Sequence, residues 1–329
     1  MGPKRARASI GTAAVLGLAR CRMSVSPTTA YLMTYGEGGC TANCAFCPQA
    51  RESSSDPSLL SRIKWPAYPL EQILEALSKK KNHFKRVCLQ TLNHPRFFNE
   101  ITQLLEEVGQ VTHAPRSLCT PPLPRERSVE LLNLGVDRVC FALDAATPSV
   151  FEKVKGNNVR GPYRWESHWE VLHEALEVFG SGRVTTHLIA GIGETEEELL
   201  GTTQRLRDLG VYPSLFAFTP IAGTKMAEHP RPQVSSYRRV QVGRYLIVEG
   251  LSRFEEMTFD KWGSLKNFGV DRAGLTRVLE SGEPFQTSGC PGCNRPFYNE
   301  NPRGPIYNYP KPLIDLEVKK VMSELEVEL

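Results

Sequence analysis

A short apolar run giving way to an amphipathic helical period recurs from Thr29 to Phe259, and this alternation restricts the chain to a parallel α/β architecture. The strand candidates are Thr29–Tyr35, Arg86–Gln90, Val111–Cys119, Asp137–Asp144, Arg183–Ala190, Leu215–Phe218 and Phe254–Phe259. Helix starts lie between them: Pro69 precedes Leu70–Lys80, Thr147 and Pro148 open a short segment, and Glu196–Glu198 set carboxylates at a positive helix end. Helical patterns after Pro95, from Arg125, from Tyr163 and from Val240 complete the series. Two folds satisfy it. An open doubly wound sheet places ligands at a switch point, whereas a barrel gathers every strand's C-terminal end at one mouth. Polar and thiol residues here repeatedly follow a strand's last residue, which selects an α/β barrel of the TIM type, partial to nearly complete, over residues 25–265. A chain of 329 residues accommodates that barrel and a small appendage around one core.

The first strand runs into Gly36-Glu-Gly-Gly-Cys40-Thr-Ala-Asn-Cys44-Ala-Phe-Cys47-Pro48. Thiolates are the soft ligands of iron–sulfur clusters, and a glycine-rich loop lets Cys40, Cys44 and Cys47 converge on one cubane. Three protein ligands leave one iron free for a substrate. A zinc knuckle or three unrelated buried thiols are the plainer readings. Zinc needs a fourth ligand close by, and the nearest histidine is His83. The spacing, with aromatic Phe46 before the last Cys, resembles the signature of the radical S-adenosylmethionine (SAM) enzymes. That resemblance implies a 4Fe-4S cluster whose open iron chelates the amino and carboxylate groups of SAM, and whose electron splits SAM to give a 5′-deoxyadenosyl radical.

The formal charge of +4 is spread along the chain and forms no nucleic-acid module. Nine cysteines, an odd number without a regular framework, suit a reducing cytoplasm and metal chemistry better than disulfides. No stretch reaches the roughly 18 apolar residues of a spanning helix, so no membrane is expected. In residues 1–24, Lys4, Arg5 and Arg7 precede the mildly apolar Ile10–Ala19 and then Cys21, a faint outline of an export signal. Glycine and threonine dilute the apolar part, and the segment reads as a flexible extension outside the fold, with Cys21 uncommitted.

From Thr29 to Thr224 the chain resembles the biotin-synthase branch of the radical SAM enzymes. In Cys88-Leu-Gln-Thr-Leu-Asn-His-Pro95, Cys88 stands where that branch carries an auxiliary-cluster ligand, and Cys119 stands at another. The same match gives Gln90 and Thr91 the backbone contact to the SAM amino group and Asp144 the SAM ribose. Gly191, Gly193 and Glu194, in Gly191-Ile-Gly-Glu-Thr195, line SAM, and His168 falls near a basic residue for its carboxylate. Taken alone, Asp144 is a helix N-terminal acid and His168 a surface histidine. The chain also departs from the branch, because Thr185 replaces a third auxiliary cysteine and Phe259 stands near an expected arginine. It adds Gly289-Cys-Pro-Gly-Cys293 and an Asn-, Pro- and aromatic-rich tail through Tyr307-Asn-Tyr-Pro310. We expect residues 266–329 to fold over the barrel mouth, so that Cys290 and Cys293 join Cys88 and Cys119 in an auxiliary iron–sulfur cluster and the tail contacts substrate. A zinc clip, a redox-active dithiol, or a cluster with other partners stays open. Cys140 reads as a core thiol.

A biotin synthase-like barrel ending in Cys-x-x-Cys resembles one component of the two-protein lipoyl synthases. The implied reaction is radical sulfur insertion into an unactivated C–H bond of a protein-bound octanoyl-lysine. Its implied partners are an octanoylated lipoyl-carrier domain, a second radical SAM component and a reductant such as ferredoxin. Biotin-type or other modification of a small molecule or peptide is the alternative within the class. A non-catalytic iron–sulfur carrier or redox sensor is the alternative outside it, although such a protein has little use for a barrel of this length.

Overall fold

The computed structural model describes residues 3–36, 38–80 and 82–326. Parts of three expectations, at residues 1–2, at Glu37 of the cluster loop and at residues 327–329, lie outside them. Eight strands form one sheet: β1 (Arg5–Ala8), β2 (Thr29–Thr34), β3 (Ala67–Pro69), β4 (Arg86–Gln90), β5 (Arg116–Cys119), β6 (Val136–Cys140), β7 (Val184–Ala190) and β8 (Tyr212–Ala217). Their spatial order is β8-β7-β6-β5-β4-β2-β1-β3. The pairs from β2 through β8 are all parallel, and these strands neighbour one another in chain order without reversal. That order is a partial (β/α) barrel and excludes the doubly wound alternative.

Period-two alternation divides the sheet into two faces. Ala30, Leu32, Val87, Leu89 and Val139 belong to the main core, with helix residues Leu70, Ile73, Leu77, Ile101 and Leu105. Tyr31, Cys88, Ser117, Cys119, Arg138, Cys140 and Thr185 line a cavity on the other face. No described strand joins β8 to β2, and the C-terminal segment fills this seam. Leu215 N, on β8, donates to Ser288 Oγ at 2.8 Å, and Arg295 N donates to the Tyr31 hydroxyl, on β2, at 3.0 Å. Ser61 Oγ donates to Tyr298 O at 3.1 Å on the far side.

Four expectations change. The described part of residues 1–24 is not outside the fold: β1 pairs antiparallel with both β2 and β3. Its alternation buries Ala6 and Ala8, while the guanidinium groups of Arg5 and Arg7 sit 4.9 and 5.4 Å from the Tyr35 ring centre. Ser9 then caps the helix Ile10–Val15. The third expected strand begins at Arg116, not Val111, because Phe98, Ile101, Leu104, Leu105 and Val108 carry one buried helical face through Phe97–Val111. The fourth ends at Cys140, and the chain reaches Asp144 through a single bridge to Leu188. The seventh is absent from the barrel: Phe254–Glu256 is a 3₁₀ turn, and Thr258–Phe259 forms a separate hairpin with Leu265–Asn267. Asp260 closes that hairpin by accepting from Trp262 N and Ser264 N. Among the described residues no helix is long and apolar enough to cross a membrane.

Candidate functional site

Cys40, Cys44 and Cys47 lie on the loop after β2, at the C-terminal end of the parallel strands. The loop is fastened on three sides. Thr41 N donates to Asn93 O at 2.7 Å, beyond the end of β4, and Ala45 N donates to Val154 O at 2.7 Å, at the end of the helix Pro148–Val154. Met226 N donates back to Ala45 O at 3.2 Å. Burial raises all three thiols, Cys44 to about 12, and Cys47 also feels the charges of Cys44 and Cys40. Assembly of a metal centre here therefore releases protons. Phe46 and Pro48 turn to the cavity beside Cys47.

Asp144 reaches the same cavity with left-handed backbone, φ 67°, and its Oδ2 accepts from Lys155 Nζ at 2.7 Å. Lys155 also donates to Ala142 O and sits 5.0 Å from the Tyr163 ring centre. Its positive charge lowers the thiol pKa of both Cys40 and Cys44, against the larger effect of burial. His168 is fully buried, not on the surface, and burial takes its imidazole down to about 3. A neutral ring whose Nδ1 lies 2.9 Å from Arg164 O cannot supply a positive charge. Lys155 is a buried cation close enough to act on His168, and sequence reasoning passed over it.

The other expected residues divide between cavity and frame. Gln90 lines the cavity and donates from Nε2 to Cys88 Sγ at 3.1 Å. Thr91 belongs to the frame, since its N–H and hydroxyl both donate to Cys119 O, at 3.0 and 3.3 Å. Glu194 turns inward on its own motif: its two carboxylate oxygens accept from Gly191 N at 2.5 Å and Ile192 N at 3.0 Å. Burial raises its pKa despite these bonds. Gly191 is required by its φ of 92° and by Pro232, which a Cβ would approach to 2.8 Å, and Gly193 by its φ of 124°.

Cys290 and Cys293 reach the barrel interior from the end opposite to the expected mouth. Thr28 Oγ1 donates to Gly292 O at 2.5 Å and Arg86 Nε donates to Pro291 O at 3.4 Å, both at strand beginnings. The open seam admits the segment there, and Gly292, at φ 79°, makes the turn. Cys293 Sγ lies 3.2 Å from the Tyr31 hydroxyl, and Ser117 Oγ lies 3.4 Å from Cys290 Sγ. Cys88 is raised by burial first and then by the charges of Cys290 and Cys293. Cys119 instead meets Cys140 and His187, their ligand atoms all within 4.8 Å of one another. Cys47 and the thiols of Cys88, Cys119, Cys140, Cys290 and Cys293 thus share one cavity of about 240 Å³.

The family model described as the radical SAM superfamily matches residues 37–206, more than half of the chain. The chain belongs to the radical SAM superfamily. It is similar to a biotin synthase of Streptococcus agalactiae, 24% identical over 260 residues that cover 76% of this chain and 75% of the relative. In fold it is similar to methylornithine synthase, with a TM-score of 0.51 and 13% identity over 67% of this chain and 62% of that one. It is also similar to an FeFe-hydrogenase maturase from Carboxydothermus hydrogenoformans, with a TM-score of 0.53 and 15% identity over 90% and 66%.

Membership in the radical SAM superfamily implies a 4Fe-4S cluster and SAM, and the geometry fits both. Three thiols on one braced loop offer a soft donor set, with no fourth cysteine or histidine among the loop's described residues, and a buried cation stands beside them. Asp144 and Gln90 line the same cavity as Cys47, and with Lys155 paired to Asp144 they offer groups able to hold a polar, charged ligand. Strand periodicity could have exposed two of the missed residues. His187 is two positions beyond Thr185, on the same face of β7, and Cys140 is the register partner of Cys119.

Proposed function

We propose that this radical SAM enzyme inserts sulfur at an unactivated C–H carbon, and that its substrate is an octanoyl chain on a lysine of a lipoyl-carrier domain. The observation that carries this reading is the shared cavity: Cys88, Cys290 and Cys293 face the same space as Cys47 and Asp144. An auxiliary iron–sulfur centre held there by Cys88, Cys290 and Cys293 would keep a sulfur source within reach of the substrate carbon. When bound, the cluster on Cys40, Cys44 and Cys47 together with SAM supplies the radical that removes the hydrogen atom.

The chain's own residues bind, orient and exclude water. Asp144, fixed by Lys155, presents a carboxylate at the cavity wall for a hydroxylated ligand. Phe46, Leu60, Trp65, Leu118, Ile189 and Phe218 give the wall an apolar surface suited to a methylene chain. Tyr298, packed 4.9 Å from the Tyr31 ring and 6.0 Å from that of Trp65, holds the C-terminal segment across the seam and keeps solvent out. A second radical SAM component and a reductant such as ferredoxin complete the proposal.

The test is incubation of anaerobically reconstituted protein with SAM, a strong reductant and an octanoylated carrier domain, with and without the second component. Mass spectrometry then reads sulfur added to the octanoyl lysine. Deoxyadenosine without a thiolated carrier rejects the lipoyl substrate, and absence of deoxyadenosine rejects the radical reaction. The similarity to a biotin synthase favours a second reading, biotin synthase-type sulfur insertion into a small molecule. Thiolation of a small-molecule acceptor but not of the carrier would select it.

A further inference from the structure

Cys119, Cys140 and His187 come from three adjacent strands, β5, β6 and β7. Cys119 and Cys140 are register partners, which fixes their side chains side by side on the cavity face. The two sulfurs and a ring nitrogen of His187 lie within 4.8 Å of one another. His187 is steadied by Phe216, whose ring centre is 4.6 Å away.

This spacing has a chemical meaning. Around a tetrahedral ion with metal–sulfur bonds near 2.3 Å and metal–nitrogen bonds near 2.0 Å, donors stand about 3.5–3.8 Å apart. Small side-chain rotations close the observed gap. Ligands to different irons of a cubane stand farther apart, so three donors this close serve a single ion. Two thiolates and an imidazole select zinc or a similar borderline-soft divalent ion, whereas calcium and magnesium require oxygen ligands. Three protein ligands and a cavity on the remaining side match the open arrangement of catalytic zinc, in which the fourth position takes water or substrate.

We propose that Cys119, Cys140 and His187 hold one divalent ion of the zinc type, with a fourth coordination position open to the barrel cavity. The site is separate from the cluster loop, takes Cys119 out of the auxiliary centre, and stands independently of the sulfur-insertion reading. Cobalt(II) alone is the probe, added anaerobically to the apo full chain carrying Cys40→Ala, Cys44→Ala, Cys47→Ala, Cys290→Ala and Cys293→Ala. One cobalt per chain, with thiolate charge-transfer absorption and intense tetrahedral d–d bands, is the expected result. Adding Cys140→Ser or His187→Gln should weaken binding at least tenfold, while adding Cys21→Ser should not. No cobalt band, or bands that survive both Cys140→Ser and His187→Gln, overturns the proposal. Metal analysis of the reconstituted wild-type chain gives a second measure that needs no folded multiple variant. One zinc per chain beyond the iron, lost in Cys140→Ser, supports the site, and absence of zinc or zinc content unchanged in that variant overturns it.

Discussion

Lys155 Nζ lies 2.7 Å from Asp144 Oδ2, with the two side chains only 6% and 10% exposed. Burial works against the ammonium, but the charges of Asp144 and Cys44 outweigh it and raise the Lys155 pKa. Breaking one side of a buried pair leaves an uncompensated charge, at a cost of about 3–5 kcal/mol. Lys155→Met should therefore destabilise the fold by that order, and Asp144→Asn nearly as much, since asparagine keeps the left-handed backbone but not the charge. The double variant should recover much of the loss. Urea unfolding of the four proteins measures the coupling, and additive losses would show that the pair does not act as a unit. SAM binding should weaken in both single variants.

His168 links the same region to pH. Its imidazole titrates near 6.5 in the unfolded chain and is taken by burial to about 3 in the folded one. Between these values the unfolded state holds the extra proton, so stability falls as pH drops from about 6.5 toward 3 and is unaffected above that window. The slope attributable to this residue is at most about 1.4 kcal/mol per pH unit. His168→Leu should flatten the stability profile between about pH 4 and about pH 6 relative to wild type. Equal slopes for the two proteins would show that the imidazole charges freely in the fold.

Removing the C-terminal thiol pair distinguishes an auxiliary centre from a packing turn. Cys290→Ala/Cys293→Ala takes away two of the three sulfurs of the group Cys88, Cys290 and Cys293, and leaves the cluster loop at the opposite strand ends untouched. Iron and sulfide per chain after anaerobic reconstitution should fall by roughly half, and SAM cleavage without substrate should persist. Unchanged iron would show that the pair holds no cluster.

The parallel order of the barrel was readable because each unit carries its own local signals. Thr147 and Pro148 start one helix, and Thr195 with Glu198 closes a capping box on another. The cluster loop was readable because all its ligands are local. Direction of approach was not: Cys290 and Cys293 are placed by contacts to Thr28, Arg86 and Ser117, more than 170 positions away in the chain, and no local pattern encodes that. Lys155 was missed for a similar reason. It follows a helix end, where a lysine is unremarkable, and only the fold turns it onto Asp144. The N-terminal strand was hidden by its composition, since a four-residue run of arginine and alanine has little strand propensity.

β1 is not an ornament on the sheet edge, because it pairs on both sides and joins β2 to β3. Ala8 is fully buried, with its N–H donating to Pro66 O at 3.1 Å, and Ser9 N donates to Tyr31 O at 3.0 Å just beyond. An acidic side chain at this position would be buried without a partner, a change whose cost is among the largest that single substitutions produce. Ala8→Asp should lower stability by about 3 kcal/mol or more. Arg5→Gln, which exchanges an exposed guanidinium, should stay within about 0.5–1 kcal/mol of wild type. Urea unfolding compares the two, and a stable Ala8→Asp protein would show that the segment leaves the sheet at little cost. Deleting residues 1–9 should be worse still, because it uncovers the paired edge of β2 and with it the wall that carries Tyr31 to the cavity.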